Sequence, residues 1–275
     1  MEQSELNDLI TAVKAKKELA NLDDTFVREK IEKLFAGNAK LRKKYDATKS
    51  FKQFSKSKEW EFILKAVRKE LRVIYGVFQG DRTGVDVSAE NLTAVLETHI
   101  STRERIPYFD MIYKELVDRI PAPRTLLDLG CGLNPLSYSY MKKHGWTPSI
   151  VGVDISAADM DFLSDAMLQL NIPGKTIAAD LVKQADVLDA VDAEVTFVLK
   201  LLDTLEEAER HVSYKLFEHI HSKWIVVSFA TKSLGGKKNI SSAGRTWFER
   251  LLHRKELSWE TFSVPNELFY VITNV

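Results

Sequence analysis

The stretch Leu126-Leu127-Asp128-Leu129-Gly130-Cys131-Gly132-Leu133-Asn134-Pro135 combines an apolar run, an acidic residue and a Gly-x-Gly turn. This order is typical of a buried strand, a tight turn and a helix that begins near Pro135. Glycines let the backbone approach a ligand closely, and the first N–H groups of a helix can bind a negative group. Pro135 stands where a dinucleotide fingerprint has its third glycine, so the turn predicts a nucleotide-type ligand other than NAD.

Length and composition indicate a globular protein. The 275 residues are 45% hydrophobic and 28% charged, enough for one large domain or two. No apolar run approaches ~20 residues, and the start MEQSELNDLI lacks the features of a signal peptide, so we expect a cytoplasmic protein without a membrane segment. The single cysteine, Cys131, excludes an internal disulfide and a multi-cysteine zinc site. We interpret it as a small residue packed in the turn.

The net charge of zero conceals an asymmetry along the chain. Residues 1–75 carry 18 basic and 12 acidic side chains, whereas the remainder carries 21 and 27. Within residues 28–72 the numbers are 15 and 6. A basic concentration of this kind suits a polyanionic partner such as a nucleic acid.

Apolar residues at helical spacing predict three N-terminal helices, around Leu6–Val13, Val27–Tyr45 and Trp60–Tyr75. A second face of the third helix carries four basic residues, which we call the basic stripe: Lys65, Arg68, Lys69 and Arg72. Like charges four residues apart destabilise a helix by roughly 0.2–0.5 kcal/mol per pair, and a bound polyanion would relieve that repulsion. The alternative is a face that contacts only water.

From Arg124 onward, predicted strands and helices alternate, which indicates a parallel sheet covered on both faces. We expect strands at 125–129, 149–154, 175–179, 195–199 and 224–229. Helices are expected near 135–144, 156–170, 183–190, 206–221 and 242–255. The segments Leu257–Val264 and Leu268–Thr273 are joined by a short turn and must therefore be antiparallel.

The Gly-x-Gly turn and three further motifs together resemble a known family. These motifs are STRERIP at Ser101–Pro107, LKLLDTLE at Leu199–Glu206 and VVSFATKSLGG at Val226–Gly236. Their order and spacing resemble the aminoglycoside-resistance 16S rRNA methyltransferases that modify N7 of guanine 1405 in the decoding A site. The match covers most of residues 99–240.

The resemblance implies a Rossmann-like α/β sheet that binds S-adenosylmethionine, ends in an antiparallel hairpin and follows an all-α domain. Residues 1–100 would form a basic, helical rRNA-binding domain. Residues 101–275 would form the catalytic methyltransferase domain, which releases S-adenosylhomocysteine. The 30S ribosomal subunit would be the partner, with no DNA, and we expect a monomer.

The candidate cofactor site lies at the carboxyl ends of the strands, where open α/β sheets bind ligands. Asp154, 24 residues after Gly130, is placed to accept the ribose hydroxyls. By resemblance, Asp180 contacts the adenine amino group and Arg105 binds the methionyl carboxylate; Arg103 faces elsewhere, and Glu104 would pair with Ser101 in a capping box. The other residues assigned to the cofactor are Gly130, Cys131, Gly132, Asn134, Ile155 and Leu181.

Catalysis and RNA contact are assigned to basic residues after two strands. Lys200 ends the fourth strand, where methyltransferases place residues that face the target, and Lys232 begins the basic loop after the fifth strand. Lys237 and Lys238 of that loop, together with the basic stripe, would bind rRNA phosphates. His219 and His221 suggest a metal only weakly, because neighbouring helical side chains do not converge, so no metal is expected.

Two other functions remain open from the sequence. The chain could be a methyltransferase for another RNA or for a protein, with the basic helices serving that target. It could also be a non-catalytic RNA-binding module that keeps a cofactor-like fold for structure. The intact turn, together with Asp154 and Arg105, favours catalysis.

Overall fold

The computed structural model describes residues 2–16, 19–20, 22–48, 50–72, 87–231 and 245–274. The chain divides into two compact units, Met1–Gln79 and Gly80–Val275. Residues 87–100, which the sequence analysis placed in the N-terminal domain, therefore pack in the second unit. The reason is that Val95 and Leu96 are buried in that unit's core.

A mixed sheet organises the second unit. Its strands in the described ranges are β1 Thr125–Leu129, β2 Ser149–Asp154, β3 Gly174–Ala178, β4 Val195–Leu199, β5 Trp224–Ala230, β6 Ser258–Val264 and β7 Glu267–Thr273. Their order is β3-β2-β1-β4-β5-β7-β6. The first five are parallel, and β7 pairs antiparallel with both β5 and β6. The predicted Rossmann-like fold with its C-terminal hairpin is confirmed.

Helices and short 3-10 turns cover the sheet, with one apolar cluster on each face. Within the described ranges the α-helices of this unit, numbered in chain order over both units, are α6 Leu92–Glu97, α7 Ile100–Arg105, α8 Phe109–Val117, α9 Tyr138–Lys143, α10 Ala157–Gln169, α11 Leu202–Ala208, α12 Val212–Leu216 and α13 Thr246–Arg254. None of the helices in the described ranges combines the length and apolar character needed to cross a bilayer.

Two predicted helices of this unit are wrong in detail. The helix expected at 206–221 is two helices, α11 and α12, which are separated at His211, where φ is +66°. The Glu206 carboxylate stabilises this break by accepting the N–H groups of His211 and Ser213. The helix expected at 183–190 is a 3-10 helix, Ala185–Ala190.

The first unit is built from the helices α1 Gln3–Lys14, α2 Asp24–Gly37, α3 Ala39–Asp46, α4 Phe51–Phe54 and α5 Lys58–Leu71. The long second helix predicted over 27–45 is two helices, because Asn38 leaves the helical conformation. Its side chain accepts the N–H of Leu41 and thereby caps α3. The first and third predicted helices correspond to α1 and α5.

The basic stripe does not form one uniform face on α5. Arg68 donates from Nε to the carbonyl of Val13, at 3.2 Å, and from Nη2 to the carbonyl of Ala12. These carbonyls belong to the last turn of α1, so Arg68 helps to hold α1 against α5. Lys65 and Lys69 remain exposed.

Candidate active site

The strand order reverses between β1 and β4, and the chain leaves both strands at the same edge of the sheet. From β1 the chain proceeds outward to β2 and β3, whereas β4 and β5 extend in the other direction. Ligands of open α/β sheets bind at such a switch point. The Gly-x-Gly turn lies here, because it follows β1 directly.

Both glycines of the turn are required by its geometry. Their φ values are +60° at Gly130 and +49° at Gly132. Residues other than glycine rarely adopt positive φ, because their Cβ clashes with the backbone. A Cβ at Gly130 would lie 2.6 Å from Cδ1 of Leu201, and a Cβ at Gly132 would lie 2.6 Å from Nε2 of His99. Residues that follow β4 and precede α7 thus close over the turn.

Asp154, the last residue of β2, holds the turn in place. Its carboxylate accepts the N–H of Gly132 at 3.0 Å and the N–H of Ile155 at 2.7 Å. Burial raises the pKa of Asp154, while these two bonds oppose the shift. Each carboxylate oxygen keeps further acceptor capacity, so Asp154 can also accept hydroxyl groups of a ligand.

The expected anion site at a helix start after Pro135 is wrong. A 3-10 helix, Asn134–Ser137, precedes α9. Within this region, the N–H of Asn134 donates to the carbonyl of Cys131, and the N–H of Leu136 donates to the carbonyl of Leu133. The donors that a free helix start would offer to an anion are therefore used by the turn itself.

Asn134 links the turn to a buried acid. Its Nδ2 donates to Oδ2 of Asp128 at 2.8 Å. Its Oδ1 is buried and makes no hydrogen bond to any residue in the described part of the chain. A buried acceptor of this kind is costly unless a ligand supplies a donor.

Burial raises the pKa of Asp128 to about 7, against the opposing effects of the Asn134 bond and the Arg105 charge. Between about pH 4 and 7, Asp128 is therefore protonated in the folded protein. In the unfolded chain, where its pKa is that of an ordinary aspartate, it has lost this proton. In this window the unfolded state binds fewer protons, so the stability contribution of Asp128 falls as pH rises.

Asp128→Asn should remove this pH dependence, because an asparagine copies the protonated acid and can still accept from Asn134. As pH rises from 4 to 8, the free energy of unfolding of the variant should increase relative to that of wild type by on the order of 4 kcal/mol. Urea unfolding of both proteins across this pH range measures the difference. Parallel curves for the two proteins would show that Asp128 is ionised in the fold.

Arg105 lies in a buried network of charges. Its Nε donates to Oε2 of Glu267 at 2.9 Å, and its Nη2 donates to Oε1 at 2.7 Å. Ser228 also donates to Glu267, at 2.5 Å, and both charged side chains are at most 3% exposed. Burial alone would raise the pKa of Glu267, but the charges of Arg105 and Lys200 and the hydrogen bonds outweigh it and hold the pKa below its ordinary value.

Lys200 follows β4 as expected, but its side chain turns inward. Its Nζ lies 2.7 Å from Oε2 of Glu104 and 3.4 Å from Oε2 of Glu267. The backbone at Lys200 has a φ of +57°, a strained value for a residue with a side chain. The ammonium therefore lies between the exposed carboxylate of Glu104 and the buried carboxylate of Glu267 and does not project freely towards a target.

The motif around Arg105 has the predicted placement of its two arginines but lacks the predicted capping box. Arg105 is buried and Arg103 is exposed, so the two arginines do face different surroundings. However, the capping box of Ser101 and Glu104 is absent from the described structure: α7 begins at Ile100, after His99, and has no side-chain cap. Glu104 contacts Lys200 instead.

The remaining described candidates lie around the same edge. Asp180 accepts the N–H of Val182 at 3.0 Å and is 3.8 Å from Nζ of Lys183. Leu181 is buried beside it. The Sγ of Cys131 lies 3.1 Å from an ideal Cβ at Gly152, and burial raises the pKa of the thiol well above its ordinary value, which fits a packing role.

Three candidates lie outside the described residues: Lys232, Lys237 and Lys238. Contrary to expectation, the side chains of His219 and His221 do converge: both contact Asp189, at 3.0 and 2.9 Å. They converge because the chain has left α12 by then. Even so, no group of three or more metal-binding side chains with suitable geometry occurs in the described ranges.

Sequence reasoning missed Glu267 and His99. Because β7 runs antiparallel to β5, its first residue lies at the carboxyl edge of the parallel strands, where Ala230 pairs with Glu267. The predicted hairpin contained that signal, since an acid directly after the Pro265-Asn266 turn had to lie at this edge. His99 immediately precedes STRERIP, and no spacing pattern marks its contact with Gly132.

The sequence of this chain is similar to those of known ribosomal RNA methyltransferases. The sequence profile of the family described as ribosomal RNA methyltransferase (FmrO) matches residues 67–271. A 16S rRNA (guanine(1405)-N(7))-methyltransferase of Micromonospora rosea is 33% identical over 233 residues, which are 76% of this chain and 81% of that protein. An enzyme of the same name from Frankia casuarinae is 30% identical, over 76% of this chain and 79% of that protein.

Solved structures share the fold. The 16S rRNA methyltransferase RmtF, crystallised with S-adenosyl-L-homocysteine, superposes with a TM-score of 0.76 at 23% identity and full coverage of both chains. The 16S rRNA methylase ArmA superposes with a TM-score of 0.56 at 26% identity, over 67% of this chain and 91% of that chain.

Proposed function

The chain belongs to the ribosomal RNA methyltransferase (FmrO) family, and on this basis we propose that it transfers a methyl group from S-adenosylmethionine to N7 of guanine 1405 of 16S rRNA. The observation that carries the proposal is the family match over residues 67–271, which includes the turn, Asp154, Arg105 and Glu267. We further propose that the substrate is the assembled 30S subunit, that the enzyme acts in the cytoplasm as a monomer, and that the product confers aminoglycoside resistance.

The turn fits S-adenosylmethionine in three respects. Asp154 keeps acceptor capacity for the ribose hydroxyls. The bonds from Arg105 to Glu267 use Nε and Nη2 and do not use Nη1, which is available for the methionyl carboxylate. The buried Oδ1 of Asn134 can accept from the methionyl ammonium. Asp180 would contact the adenine amino group, and the backbone around Gly130, Cys131, Gly132, Ile155 and Leu181 would complete the cradle.

Methyl transfer to guanine N7 requires little general acid or base catalysis. The cofactor supplies a methyl group activated by a positive sulfur, and guanine N7 offers an unprotonated lone pair. The N7–methyl bond forms as the sulfur–methyl bond breaks, the sulfur keeps the electron pair, and no proton is lost. The protein therefore contributes mainly by positioning. The A-form major groove is narrow, so the base must leave its stack or the rRNA must distort.

Lys232 remains proposed as a residue that faces the target nucleotide, with Lys237 and Lys238 on the neighbouring phosphates. For Lys200 the same role requires its side chain to leave Glu104 and Glu267 when the target binds. Methylation at N7 makes the product guanine cationic. That fixed positive charge, together with the added methyl group, would repel polycationic aminoglycosides from the A site, which links the reaction to resistance.

Transfer of a radiolabelled methyl group to purified 30S subunits, 50S subunits and ribosomal protein tests the proposal. We expect label in the RNA of 30S subunits alone. Label in another RNA or in protein would favour the second candidate, a methyltransferase with a different target. No label with any substrate would favour a non-catalytic RNA-binding module.

The basic stripe should serve docking, with Lys65 and Lys69 as its exposed members. Lys65→Glu/Lys69→Glu should lower affinity for 30S subunits and flatten its salt dependence by up to roughly one unit of slope per lost phosphate contact. Affinity for S-adenosylmethionine and the melting temperature should stay nearly unchanged. Binding titrations across a salt series measure this, and equal slopes for variant and wild type would identify a face that contacts only water.

A further inference from the structure

Phe62 is an aromatic residue that the fold of the first unit does not use. The helix α5 buries Ile63, Val67 and Leu71, whereas Phe62 lies on the other side and is 48% exposed. The other aromatic rings near it pack edge-on against one another within the unit: Phe35, Tyr45, Phe51, Phe54 and Trp60. Packing therefore explains those rings but leaves Phe62 unexplained.

Phe62 lines a cleft between α3 and α5 with a volume of about 610 Å³. The apolar part of the lining consists of Phe62, Ala47 and the buried side chain of Leu41. Around it stand four lysines and one acid: Lys40, Lys43, Lys44, Lys58 and Glu59. An apolar surface that is rimmed by excess positive charge suits a ligand with a flat apolar face and an anionic backbone.

The cleft is continuous with the exposed part of the basic stripe. Lys58, Phe62, Lys65 and Lys69 follow one another at intervals of four, three and four residues on α5, so they lie on one face of the helix. Lys65 is 81% exposed and makes a long, exposed ion pair with Glu61, at 3.8 Å. A strand of nucleic acid bound to the basic stripe could therefore extend into the cleft along a surface that is positively charged throughout.

We propose that this cleft binds an unpaired nucleotide of the rRNA, with its base stacked on Phe62 and its phosphates beside Lys43, Lys44 and Lys58. This inference rests on the proposed rRNA substrate and adds a second contact type to the docking surface. Base stacking on an aromatic ring is tolerant of sequence, whereas the lysines respond to charge alone. The two contributions can therefore be separated by their salt dependence.

The test compares binding of purified 30S subunits to four full-length variants across a salt series. Phe62→Leu keeps an apolar side chain but removes the ring, and should weaken binding roughly 5- to 100-fold at each salt concentration without changing the salt slope. Phe62→Trp should restore binding. Lys43→Gln/Lys44→Gln should flatten the slope by up to roughly two units. Leu168→Ala, at a side chain that is 79% exposed in the second unit, is the matched control and should bind like wild type.

Wild-type affinity of Phe62→Leu would overturn the inference, as would equal weakening by the leucine and tryptophan variants. If the Lys65→Glu/Lys69→Glu variant weakens binding while Phe62→Leu does not, the stacking contact is rejected and rRNA docking stands. If neither weakens binding, the docking surface itself is wrong. Retained binding to 30S subunits whose RNA has been cleaved would point to a protein ligand and would also reject the inference. Melting temperatures of all variants control for folding.

Discussion

Glu267→Ala should lower the free energy of unfolding of the second unit by about 3–5 kcal/mol, because it leaves the Arg105 guanidinium buried without its acidic partner. The carboxylate accepts bonds from Arg105 and Ser228 and lies 3.4 Å from Lys200. Removal of the carboxylate also leaves the ammonium of Lys200 close to the uncompensated positive charge of Arg105. Chemical unfolding monitored by tryptophan fluorescence gives the difference.

Glu260→Ala is the matched control, since this acid lies on the neighbouring strand β6 with a side chain that is 75% exposed. It should change stability by less than roughly 0.5 kcal/mol. Arg105→Ala/Glu267→Ala should cost less than the sum of the two single changes, as expected for residues in direct contact. A Glu267→Ala protein as stable as the control, or strictly additive costs, would contradict a buried ion pair.

Asp154→Ala should weaken S-adenosylmethionine binding by about 1–3 kcal/mol, or roughly 5- to 150-fold. The loss has two physical sources: the ribose hydroxyls lose their acceptor, and the N–H of Gly132 loses the bond that fixes the turn. Asp154→Asn keeps one acceptor for the turn and should lose less. Isothermal titration calorimetry measures the affinities.

Asp165→Asn, a change on the exposed side of α10, is the control and should leave the affinity unchanged. Arg105→Ala should also weaken the cofactor, whereas Arg103→Ala should do so less, because only Arg105 is buried at the site. A folded Asp154→Ala protein with wild-type affinity would remove Asp154 from the site. The reverse order of the two arginine variants would show that the wrong arginine was assigned.

The fold and the turn were predictable because their signals are local. Asp128, Gly130 and Gly132 stand within five residues, and an apolar run ending in an acid identifies β2 and Asp154 without knowledge of the rest of the chain. Five parallel strands and the hairpin followed from alternation alone. Helix ends were less predictable, because Asn38 and His211 interrupt helices through hydrogen bonds that periodicity does not show.

The charged contacts of the site could not be predicted, because they join residues far apart in sequence. Arg105 and Glu267 are 162 positions apart and meet only through the antiparallel pairing of β7 with β5. Similarly, spacing alone places Arg68 in the basic stripe, whereas its bonds to α1 depend on how the helices pack. Phe62 was overlooked, because it lies outside the apolar face that defines α5.

The most direct test of the central claim locates the methyl group in the product. Purified 30S subunits are incubated with the protein and S-adenosylmethionine, the RNA is reduced with borohydride and treated with aniline, and breaks are mapped by primer extension. Strand scission occurs at 7-methylguanine, so a new break at guanine 1405 that requires both protein and cofactor is the predicted result. Methyl incorporation without that break would contradict the proposed reaction.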